Sequence, residues 1–442
     1  MARHAEIAVV GAGAAGIFAT IWAARTVRNR GIESARPAAQ IVALDGATKL
    51  GAKILVAGGG RCNVTHHAVD ESSYAGSSRN AIRNVLRRFD VAQTVEFFRE
   101  RGVELKREET GKLFPVSDDG QSVLDALLGA VKNAGADIVH PWRVAGIERT
   151  EHGFVLRRES TDNPSRHPTG DDRVLARRVI LATGGRSLPK TGSDGFGFEL
   201  AKSLGHSITS RVFPSLVPLT IPKDHWLTGL SGVTLPATLE LRAPGGKRLV
   251  TFTNSTLITH FGLSGPSVLD MSRYYTEAKM SAGSRPPAIL VLNWLPGESV
   301  ETTDAALASA GRTRGTSVLR MLEGKLAERV VRAICAGSGV DPGASLSEMP
   351  KEKRRALATA LTELPLPITG DRGYLFAEAT AGGVPLAELK LDTMESRVCP
   401  GLHICGELCD VDGRVGGFNF QWAWASGFVA GSGAAAALTT IA

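Results

Sequence analysis

The sequence has few of the features that mark a secreted or membrane-spanning protein. Only 5 of its 442 residues are cysteines, and an odd, scattered set does not form a disulfide framework. No stretch is long and apolar enough to span a bilayer. The first residues lack the apolar core and cleavage site of a secretory signal, so we expect a cytoplasmic protein. No second ligand pair with zinc-type spacing accompanies Cys405 and Cys409, and we predict no metal site.

Aromatic residues are scarce at 6%, whereas glycine is abundant at 50 residues. This composition is typical of an α/β enzyme with tight turns between strands and helices. The net charge of +7 is modest, and solubility explains it. Its distribution is more informative, because Arg79, Arg83 and Arg87 would form one basic stripe on a helix. A solvated face explains such a stripe more often than a nucleic-acid interface does.

The first motif is Gly11, Gly13 and Gly16 in VVGAGAAG, between a strand-like apolar run and an Ala-rich helical stretch. This pattern is typical of dinucleotide binding, because it allows a tight turn, close approach of a pyrophosphate and close packing of helix on strand. The helix N-terminus would present free N–H groups to the phosphates. Asp45, at the end of the next predicted strand, is the expected carboxylate for a ribose diol.

Three further segments are rich in glycine. Residues 58–65 (GGGRCNVT) contain three consecutive glycines, which cost backbone entropy; a ligand contact explains them better than a simple turn. Residues 178–185 form a predicted strand that ends in ATGG. In the segment from 404 to 427, a strand ends at Gly406 and Glu407 before a Gly-rich turn and a helix, whose N-terminus would stabilise negative charge on a cofactor.

These motifs, together with residues 111–128, 259–273 and 377–427, resemble the YhiN/BaiN-type bacterial NAD(P)/FAD-dependent oxidoreductases, the aminoacetone oxidase-like flavoproteins. The matching segments follow the family's order over nearly the whole chain. Departures are small: Asp45 stands where the family usually has Glu, and Lys112 stands where Arg is common. The resemblance implies FAD as the cofactor and NAD(P)H as the electron donor.

The family's fold implies an α/β protein of the two-dinucleotide-binding-domain flavoprotein type. A discontinuous Rossmann-like FAD-binding domain would carry an inserted β-barrel-like domain and a small helical domain. The sequence agrees with this division, because β-rich segments punctuated by proline begin after about residue 206. Segments 31–39 and 160–172 are expected to be local insertions. The predicted domains are residues 1–205 with 372–442 for FAD, 206–300 with about 364–371 for the β-rich domain, and 301–363 for the helical one.

Cofactor contacts are predicted at the Gly-rich turns and beside the ends of the predicted strands. The predicted cofactor-binding residues are Gly11, Gly13, Ala14, Ala15, Gly16, Asp45, Gly46, Lys53, Gly59, Gly60, Arg61, Cys62, Val144, Ala182, Thr183, Gly184, Gly185, Gly406, Glu407, Asp412, Gly416, Gly417, Phe418 and Asn419.

Activities proposed in the family include reduction of enones in steroid-like molecules, oxidation of a small amino-ketone, and reduction of a ribosomal RNA uridine to dihydrouridine. Enone and uridine reduction are one reaction, in which a hydride adds to the β carbon and a proton to the α carbon. We predict Cys62 or His260 as the proton donor and Arg61 or Lys53 near the enolate oxygen. Cys62 is equally well explained by packing under the flavin, and His260 more readily by a structural hydrogen bond.

Among substrates we favour a ribosomal RNA uridine, bound partly through Arg79, Arg83 and Arg87, because phosphate contacts dominate nucleic-acid affinity. One alternative is a small-molecule enone reductase or an aminoacetone or amine oxidase. The other is a non-catalytic flavoprotein that acts as a sensor or an RNA-binding scaffold.

Overall fold

The computed structural model describes residues 2–29, 41–159, 172–283, 286–313 and 315–440. The expected insertions at 31–39 and 160–172 lie outside the described residues, except for position 172. The chain forms two compact units, which we call the first unit (Met1–Pro214 with Glu378–Ala442) and the second unit (Ser215–Ala377). The finer division into three domains stays a prediction.

The described residues form the following strands and helices. The strands are β1 (Arg3–Val10), β2 (Ile41–Leu44), β3 (Thr65–His66), β4 (Tyr74–Gly76), β5 (Leu105–Arg107), β6 (Lys112–Pro115), β7 (Asp137–Val139), β8 (Val144–Thr150), β9 (Gly153–Arg158), β10 (Arg173–Leu181), β11 (Phe213–Ser215), β12 (Leu219–Thr220), β13 (Thr234–Arg242), β14 (Arg248–Thr259), β15 (Gly262–Ser264), β16 (Ile289–Asn293), β17 (Leu364–Leu366), β18 (Gly370–Asp371), β19 (Ala379–Ala381), β20 (Leu389–Lys390), β21 (Glu395–Ser396), β22 (Leu402–Ile404) and β23 (Val411–Gly413). The helices are α1 (Ala14–Asn29), α2 (Ala52–Val56), α3 (Arg79–Leu86), α4 (Val91–Arg99), α5 (Gly120–Ala134), α6 (Phe196–Ser203), α7 (Pro266–Ala282), α8 (Val300–Ala310), α9 (Val318–Leu322), α10 (Glu328–Gly337), α11 (Lys351–Thr362) and α12 (Phe418–Ala436). No helix within these ranges is long and apolar enough to cross a membrane.

The first unit is built on five parallel strands in the order β22–β10–β1–β2–β7. In the central strand β1, Ile7, Ala8, Val9 and Val10 are all buried. Side chains of a strand alternate between the two faces of its sheet, so both faces of β1 are covered, as is usual for parallel sheets. The predicted Rossmann-like α/β fold is confirmed.

Helices α1 and α12 bring the two ends of the chain together in the first unit. A Cβ atom added to Gly427 of α12 would lie 2.6 Å from the backbone oxygen of Ala15 in α1, and one added to Gly431 would overlap the backbone oxygen of Ala19. Phe18 and Trp424 contact each other beside these glycines, with ring centroids 5.2 Å apart. The C-terminal helix is therefore part of the same core as the N-terminal one.

The apolar faces of residues 90–101 and 121–134 predict two helices, and polar caps explain where the observed helices α4 and α5 begin. Asp90 accepts a hydrogen bond from the Gln93 backbone N–H (2.9 Å), and the Gln93 side chain accepts one from the Asp90 N–H (2.9 Å), which is a capping box. Asp119 accepts from the Gln121 N–H (2.9 Å) before α5. That helix ends at Gly135 in the left-handed region, with φ +80°. Both helices are confirmed.

The second unit contains a seven-stranded sheet in the order β17–β16–β13–β14–β15–β12–β18 and the helices α7 to α11. Among its described residues no pairing joins β17 to β18, so the sheet is open and the expected barrel-like closure is not observed. Helix α7 lies within residues 206–300, the segment predicted to be β-rich, and sequence analysis did not predict it. Its Gly265–Pro266 start looks like a turn in sequence, although proline suits the first position of a helix.

Candidate active site

The carboxyl ends of β1, β2, β10 and β22 meet at one edge of the first unit's sheet, because these strands are parallel. This edge is where open α/β sheets bind their ligands. Backbone hydrogen bonds join the turns that follow the strands: Gly11 N–H donates to Leu44 O (2.8 Å), and Ala182 N–H donates to Val10 O (2.9 Å). The sequence motifs that follow three separate strands therefore converge.

The three glycines of the turn after β1 have different environments. Gly11 has φ +99°, and an added Cβ would lie 2.5 Å from Ala182 O; a Cβ on Gly16 would overlap Gly11 O. These two positions are glycine because the backbone packs too closely for any side chain. Gly13 is exposed, and an added Cβ would meet no atom of the described residues within 4 Å. It leaves the edge open beside Ala14 and the first turn of α1, whose N–H groups have no acceptor within the helix.

Asp45 lies directly after β2 and faces this turn. Its carboxylate accepts hydrogen bonds from the backbone N–H groups of Ala12 (2.6 Å) and Ala47 (2.7 Å). The next residue, Gly46, packs on Arg143, whose Cβ would be 3.0 Å from an added Cβ. Val144, the first residue of β8, is buried beside that segment. The predicted diol-binding carboxylate is thus next to the Gly-rich turn.

Ala182, Thr183, Gly184 and Gly185 follow β10 at the same edge. The Thr183 hydroxyl oxygen is buried and has no hydrogen-bond partner among the described residues. Buried polar groups in native proteins are nearly always bonded, so an unbonded hydroxyl here indicates a place where a ligand supplies the partner. A Cβ on Gly185 would overlap the Thr380 hydroxyl, which brings the 378–381 segment to this edge.

A charged network joins four segments of the first unit. The Lys53 ammonium donates to Glu407 Oε2 (2.8 Å) and to Ser187 Oγ (2.7 Å). The other Glu407 oxygen accepts from Ser187 Oγ (2.7 Å) and from the Thr380 N–H (2.9 Å). Burial acts to raise the pKa of Glu407, but the Lys53 charge and these hydrogen bonds outweigh it and hold the pKa below its usual range. Glu407 follows Gly406, whose φ is +73°.

The loop around residues 57–62 is tightly wound after the short helix α2. Gly59 and Gly60 have φ +71° and +92°, and Cys62 has φ +59°, which is uncommon for a residue other than glycine. The Cys62 thiol is fully buried, and burial raises its pKa to about 12. It is therefore a neutral thiol packed in the core. This environment agrees with the packing interpretation of Cys62.

Arg61 lies on the outer side of the same loop. Its guanidinium carbon lies 4.0 Å from the ring centroid of Phe114, and its Nη1 atom lies 2.6 Å from Glu108 Oε1 and 3.6 Å from Asp118 Oδ1. Lys106 also pairs with Asp118. Arg61 is thus one member of a half-exposed charge cluster on β5 and β6, rather than an isolated cation.

The loop is anchored to the start of α12. The Thr65 hydroxyl donates to Gln421 Oε1 (2.7 Å), and the Trp424 ring N–H donates to Val64 O (2.9 Å). A Cβ on Gly417 would lie 2.5 Å from the Thr65 carbonyl carbon. Hence residues 58–65 and the last Gly-rich motif, which are far apart in sequence, are held together.

The remaining predicted residues of the last motif surround the start of α12. Asn419 closes the turn, because its amide donates to Gly413 O (3.0 Å) and accepts from Gly413 N–H (2.8 Å). Phe418 stacks on His66, with centroids 4.8 Å apart. Asp412, in β23, is buried, and Gly416 lies beside His66 in the same turn, at 3.7 Å for an added Cβ.

Two predictions concern residues outside the elements that form this edge. His260 is exposed and directly follows β14, which belongs to the second unit. In the predicted basic stripe, Arg83 is half-buried with its guanidinium 3.4 Å from Glu71 Oε1, whereas Arg79 and Arg87 are exposed at the two ends of α3.

Comparison with known proteins identifies the family. The HI0933-like protein Rossmann domain family matches residues 5–433. The chain belongs to this family. A curated relative from Clostridium scindens, 3-dehydro-bile acid delta(4,6)-reductase, is 33% identical over 97% of the chain and 99% of the relative. Two further relatives are named ribosomal RNA dihydrouridine synthase, and each is 30% identical to this chain. The match to the Haemophilus influenzae protein covers 97% of this chain and 98% of the relative. The match to the Escherichia coli protein covers 95% of this chain and 95% of the relative.

A solved structure supports the fold of this HI0933-like chain. The 3-ketosteroid delta1-dehydrogenase of Sterolibacterium denitrificans, solved with 1,4-androstadiene-3,17-dione, matches with a TM-score of 0.50 at 13% identity, over 98% of this chain and all of that one. Membership of the family makes the chain an FAD-dependent oxidoreductase. The predicted enzyme class is confirmed.

The residues at the sheet edge fit FAD. Pyrophosphate suits the open Gly13 turn and the free N–H groups of α1. Asp45 supplies a carboxylate for a ribose, and the unbonded Thr183 hydroxyl supplies a further polar contact. The start of α12 at Gly417 adds a second helix N-terminus, which favours negative charge. The individual residue assignments stay predictions.

Sequence reasoning missed two members of the charged network, Ser187 and Thr380. Both lie within segments that carried the family resemblance, ATGGRSLPK and AEATAGG, so the sequence did mark these two segments as candidates for the site. The missing information was the pairing: only the fold shows that these hydroxyls and the Lys53–Glu407 pair form one network.

Proposed function

We propose that the chain reduces a carbon–carbon double bond conjugated to a carbonyl group, with NAD(P)H as the electron source and a uridine in ribosomal RNA as the favoured substrate. The observation that carries the proposal is the full-length similarity to relatives with two different names. One name describes reduction of double bonds in a keto bile acid, and the other describes synthesis of dihydrouridine. Both names describe saturation of a double bond conjugated to a carbonyl.

FAD, when bound, supplies the hydride for such a reduction. The chain must then orient the substrate, stabilise negative charge on its carbonyl oxygen and provide a proton. Lys53 suits charge stabilisation because Glu407 and Ser187 hold its ammonium in place. Arg61 is the second candidate: Glu108 neutralises part of its charge, as Glu407 does for Lys53, but Arg61 is more exposed.

For the proton, we propose Cys62 or His260, as the sequence suggests. The two differ sharply in setting: the Cys62 thiol is fully buried with a pKa of about 12, whereas His260 is an exposed imidazole in the second unit. A thiol of this pKa stays protonated at neutral pH but is a weak acid. Histidine is the side chain that most often serves as a general acid in enzymes.

Contact with RNA is proposed through the basic residues Arg79, Arg83 and Arg87 of α3. Arg79 and Arg87 are exposed and suit phosphate contacts, while Arg83 has Glu71 as a partner. A small-molecule enone is the second candidate substrate. It is favoured by the bile acid reductase relative, which has the higher identity of the named relatives.

Single-turnover reoxidation tests the function. The FAD-loaded protein is reduced with NADPH or dithionite without oxygen, and then mixed with a uridine-containing ribosomal RNA fragment or with a steroid enone. Recovery of the oxidised flavin spectrum with either substrate supports conjugated-bond reduction, and recovery with neither contradicts it. The Cys62→Ala variant, if it reoxidises at an unchanged rate, removes Cys62 from the proton-donor role.

The substrate is tested in cells by mapping dihydrouridine in ribosomal RNA by mass spectrometry. A strain that lacks the gene should lose one modified site, and complementation with the gene should restore it. An unchanged modification pattern, together with enone-driven reoxidation in vitro, would favour the small-molecule reductase.

A further inference from the structure

Three side chains of the second unit, Phe261, Arg372 and Phe376, form a stack of which the Phe376 ring is exposed. The guanidinium carbon of Arg372 lies 3.6 Å from the ring centroid of Phe376 and 4.3 Å from that of Phe261. The guanidinium therefore contacts both aromatic rings. We call these three residues the Phe–Arg–Phe stack.

The fold positions this stack at the end of the seven-stranded sheet. Strand β12 pairs on one side with β15 and on the other with the edge strand β18. Phe261 directly precedes β15, and its carbonyl accepts a hydrogen bond from Ile221 N–H (3.1 Å). Arg372 directly follows β18, and its N–H donates to Pro218 O (3.1 Å). The two backbones are fixed by sheet contacts, so the stack is preorganised.

A tight turn then returns Phe376 to the guanidinium. The Gly373 N–H donates to the Asp371 carboxylate (2.7 Å), and the Phe376 N–H donates to Gly373 O (3.1 Å). Gly373 has φ +68°, which favours glycine. The Asp371 carboxylate is thus bonded to its own turn, and no ion pair joins it to Arg372 in the described part of the chain.

The stack exposes both apolar and charged groups. Phe376 is 46% exposed and its neighbour Leu375 is 56% exposed. Within the described residues, no carboxylate pairs with the Arg372 guanidinium and no acceptor bonds to it, although a guanidinium offers five N–H donors. The Lys279 ammonium, a second positive charge of this unit, donates to Thr369 O (3.3 Å), directly before β18.

A purely structural role, in which the stack only holds this part of the chain together, would explain the contacts of Arg372 with the two rings but not the exposure of the Phe376 ring. Contacts between a cation and an aromatic ring stabilise an exposed site by only about 0.5–1 kcal/mol, and burying the Phe376 ring would serve a purely structural clamp better. A half-open aromatic face beside an unpaired guanidinium and a lysine is instead the combination that binds unpaired nucleotides. Bases stack on aromatic and guanidinium planes, and phosphates pair with the cations.

We propose that the Phe–Arg–Phe stack binds an unpaired nucleotide of single-stranded RNA, with the base on Phe376 and a phosphate near Arg372 and Lys279. The inference rests on the proposed RNA substrate and extends it to a second unit that carries none of the FAD-binding motifs. It assigns an RNA contact apart from the basic stripe on α3.

The test separates base stacking from charge. Binding of two fluorescent probes to the FAD-loaded protein is measured at low salt: a ten-nucleotide oligouridine, and an oligomer of equal length with the same backbone but no bases. Phe376→Ala should weaken oligouridine binding about tenfold and leave the base-free probe unchanged. Arg372→Gln should weaken both. Leu375→Ala, in the same turn but outside the stack, is the matched control and should change neither.

Equal effects of Phe376→Ala on both probes, or no effect on either, would overturn the stack as a base-binding site. Phe376→Tyr keeps the ring and should restore oligouridine binding, and thermal unfolding of each variant shows that the fold is intact. Failure of the proposed function is visible separately. If uridine RNA does not reoxidise the flavin while oligouridine binding still depends on Phe376, the stack stands and the RNA-reductase proposal fails.

Discussion

Lys53 and Arg61 come from the same Gly-rich region, yet the fold gives them different environments. The Lys53 ammonium is part of a network with Glu407 and Ser187, in which both charged side chains are mostly buried. The Arg61 guanidinium lies in a half-exposed cluster with Glu108 and Asp118. Sequence reasoning treated the two cations as equivalent. The comparison teaches that partners and burial, rather than proximity to a motif, decide which cation has a fixed position.

The largest predicted effect comes from removing the carboxylate of the buried pair. Glu407→Gln leaves the Lys53 charge without a counter-charge, which should lower the free energy of unfolding by about 3 kcal/mol. Urea unfolding measures the loss. The matched control is Glu108→Gln in the exposed cluster, where the loss should stay below about 1 kcal/mol. Equal losses of unfolding free energy in the two variants would contradict the proposed difference between the buried pair and the exposed cluster.

A second contrast lies within the turn after β1. Gly11→Ala places a Cβ 2.5 Å from the Ala182 backbone at φ +99°, and this strain should cost about 1–3 kcal/mol of stability. The methyl group of Gly13→Ala meets no atom within 4 Å in the part of the chain that the structure describes, so the stability of the apoprotein should not change.

The Gly13 variant should instead bind FAD more weakly, because its methyl group projects at the open edge where the pyrophosphate is expected. FAD titration of the apoprotein, followed by flavin fluorescence, gives the affinity. A Gly13→Ala protein with normal FAD affinity would place the pyrophosphate elsewhere.

A smaller effect is expected from pH. The folded-state pKa of Glu407 is held below its unfolded value, so its contribution to stability is complete above the unfolded pKa of about 4.3. That contribution is lost as the pH falls through the lower, folded-state value. Wild-type protein should therefore lose more stability than Glu407→Gln between pH 5 and pH 3. Parallel loss in the two proteins would show that Glu407 is not a source of the acid sensitivity.

Much of the first unit could be predicted because its motifs are local. The turn of Gly11 and Gly16 needs only a few consecutive residues, and Asp45 follows at the end of the next strand, so pattern and position are sufficient. The convergence of residues 58–65 with the last motif could be suspected only from the family. The bonds that establish it, from Thr65 to Gln421, join residues far apart in sequence.

Other features could not be predicted because they depend on tertiary environment. Burial of Cys62 follows from packing of the whole loop, and nothing in the residues next to it distinguishes a buried thiol from a reactive one. Helix α7 was missed because a Gly–Pro start and a weak apolar periodicity resemble a turn. The Phe–Arg–Phe stack joins residues beside two strands, β15 and β18, that both pair with β12.

The last and smallest predicted effect concerns the reactivity of Cys62. A thiol that is fully buried with a pKa of about 12 has almost no thiolate at pH 8, and the thiolate is the form that reacts with alkylating agents. Iodoacetamide should leave Cys62 unmodified in the folded, FAD-loaded protein and label it only after unfolding, as peptide mass spectrometry would show. Ser72→Cys, at an exposed position of the first unit, is the positive control for labelling. Rapid alkylation of Cys62 in the folded protein would mean that the loop opens, and it would restore the thiol as a candidate proton donor. If Cys62 is not alkylated in the folded protein, an imidazole such as that of His260 is the better candidate.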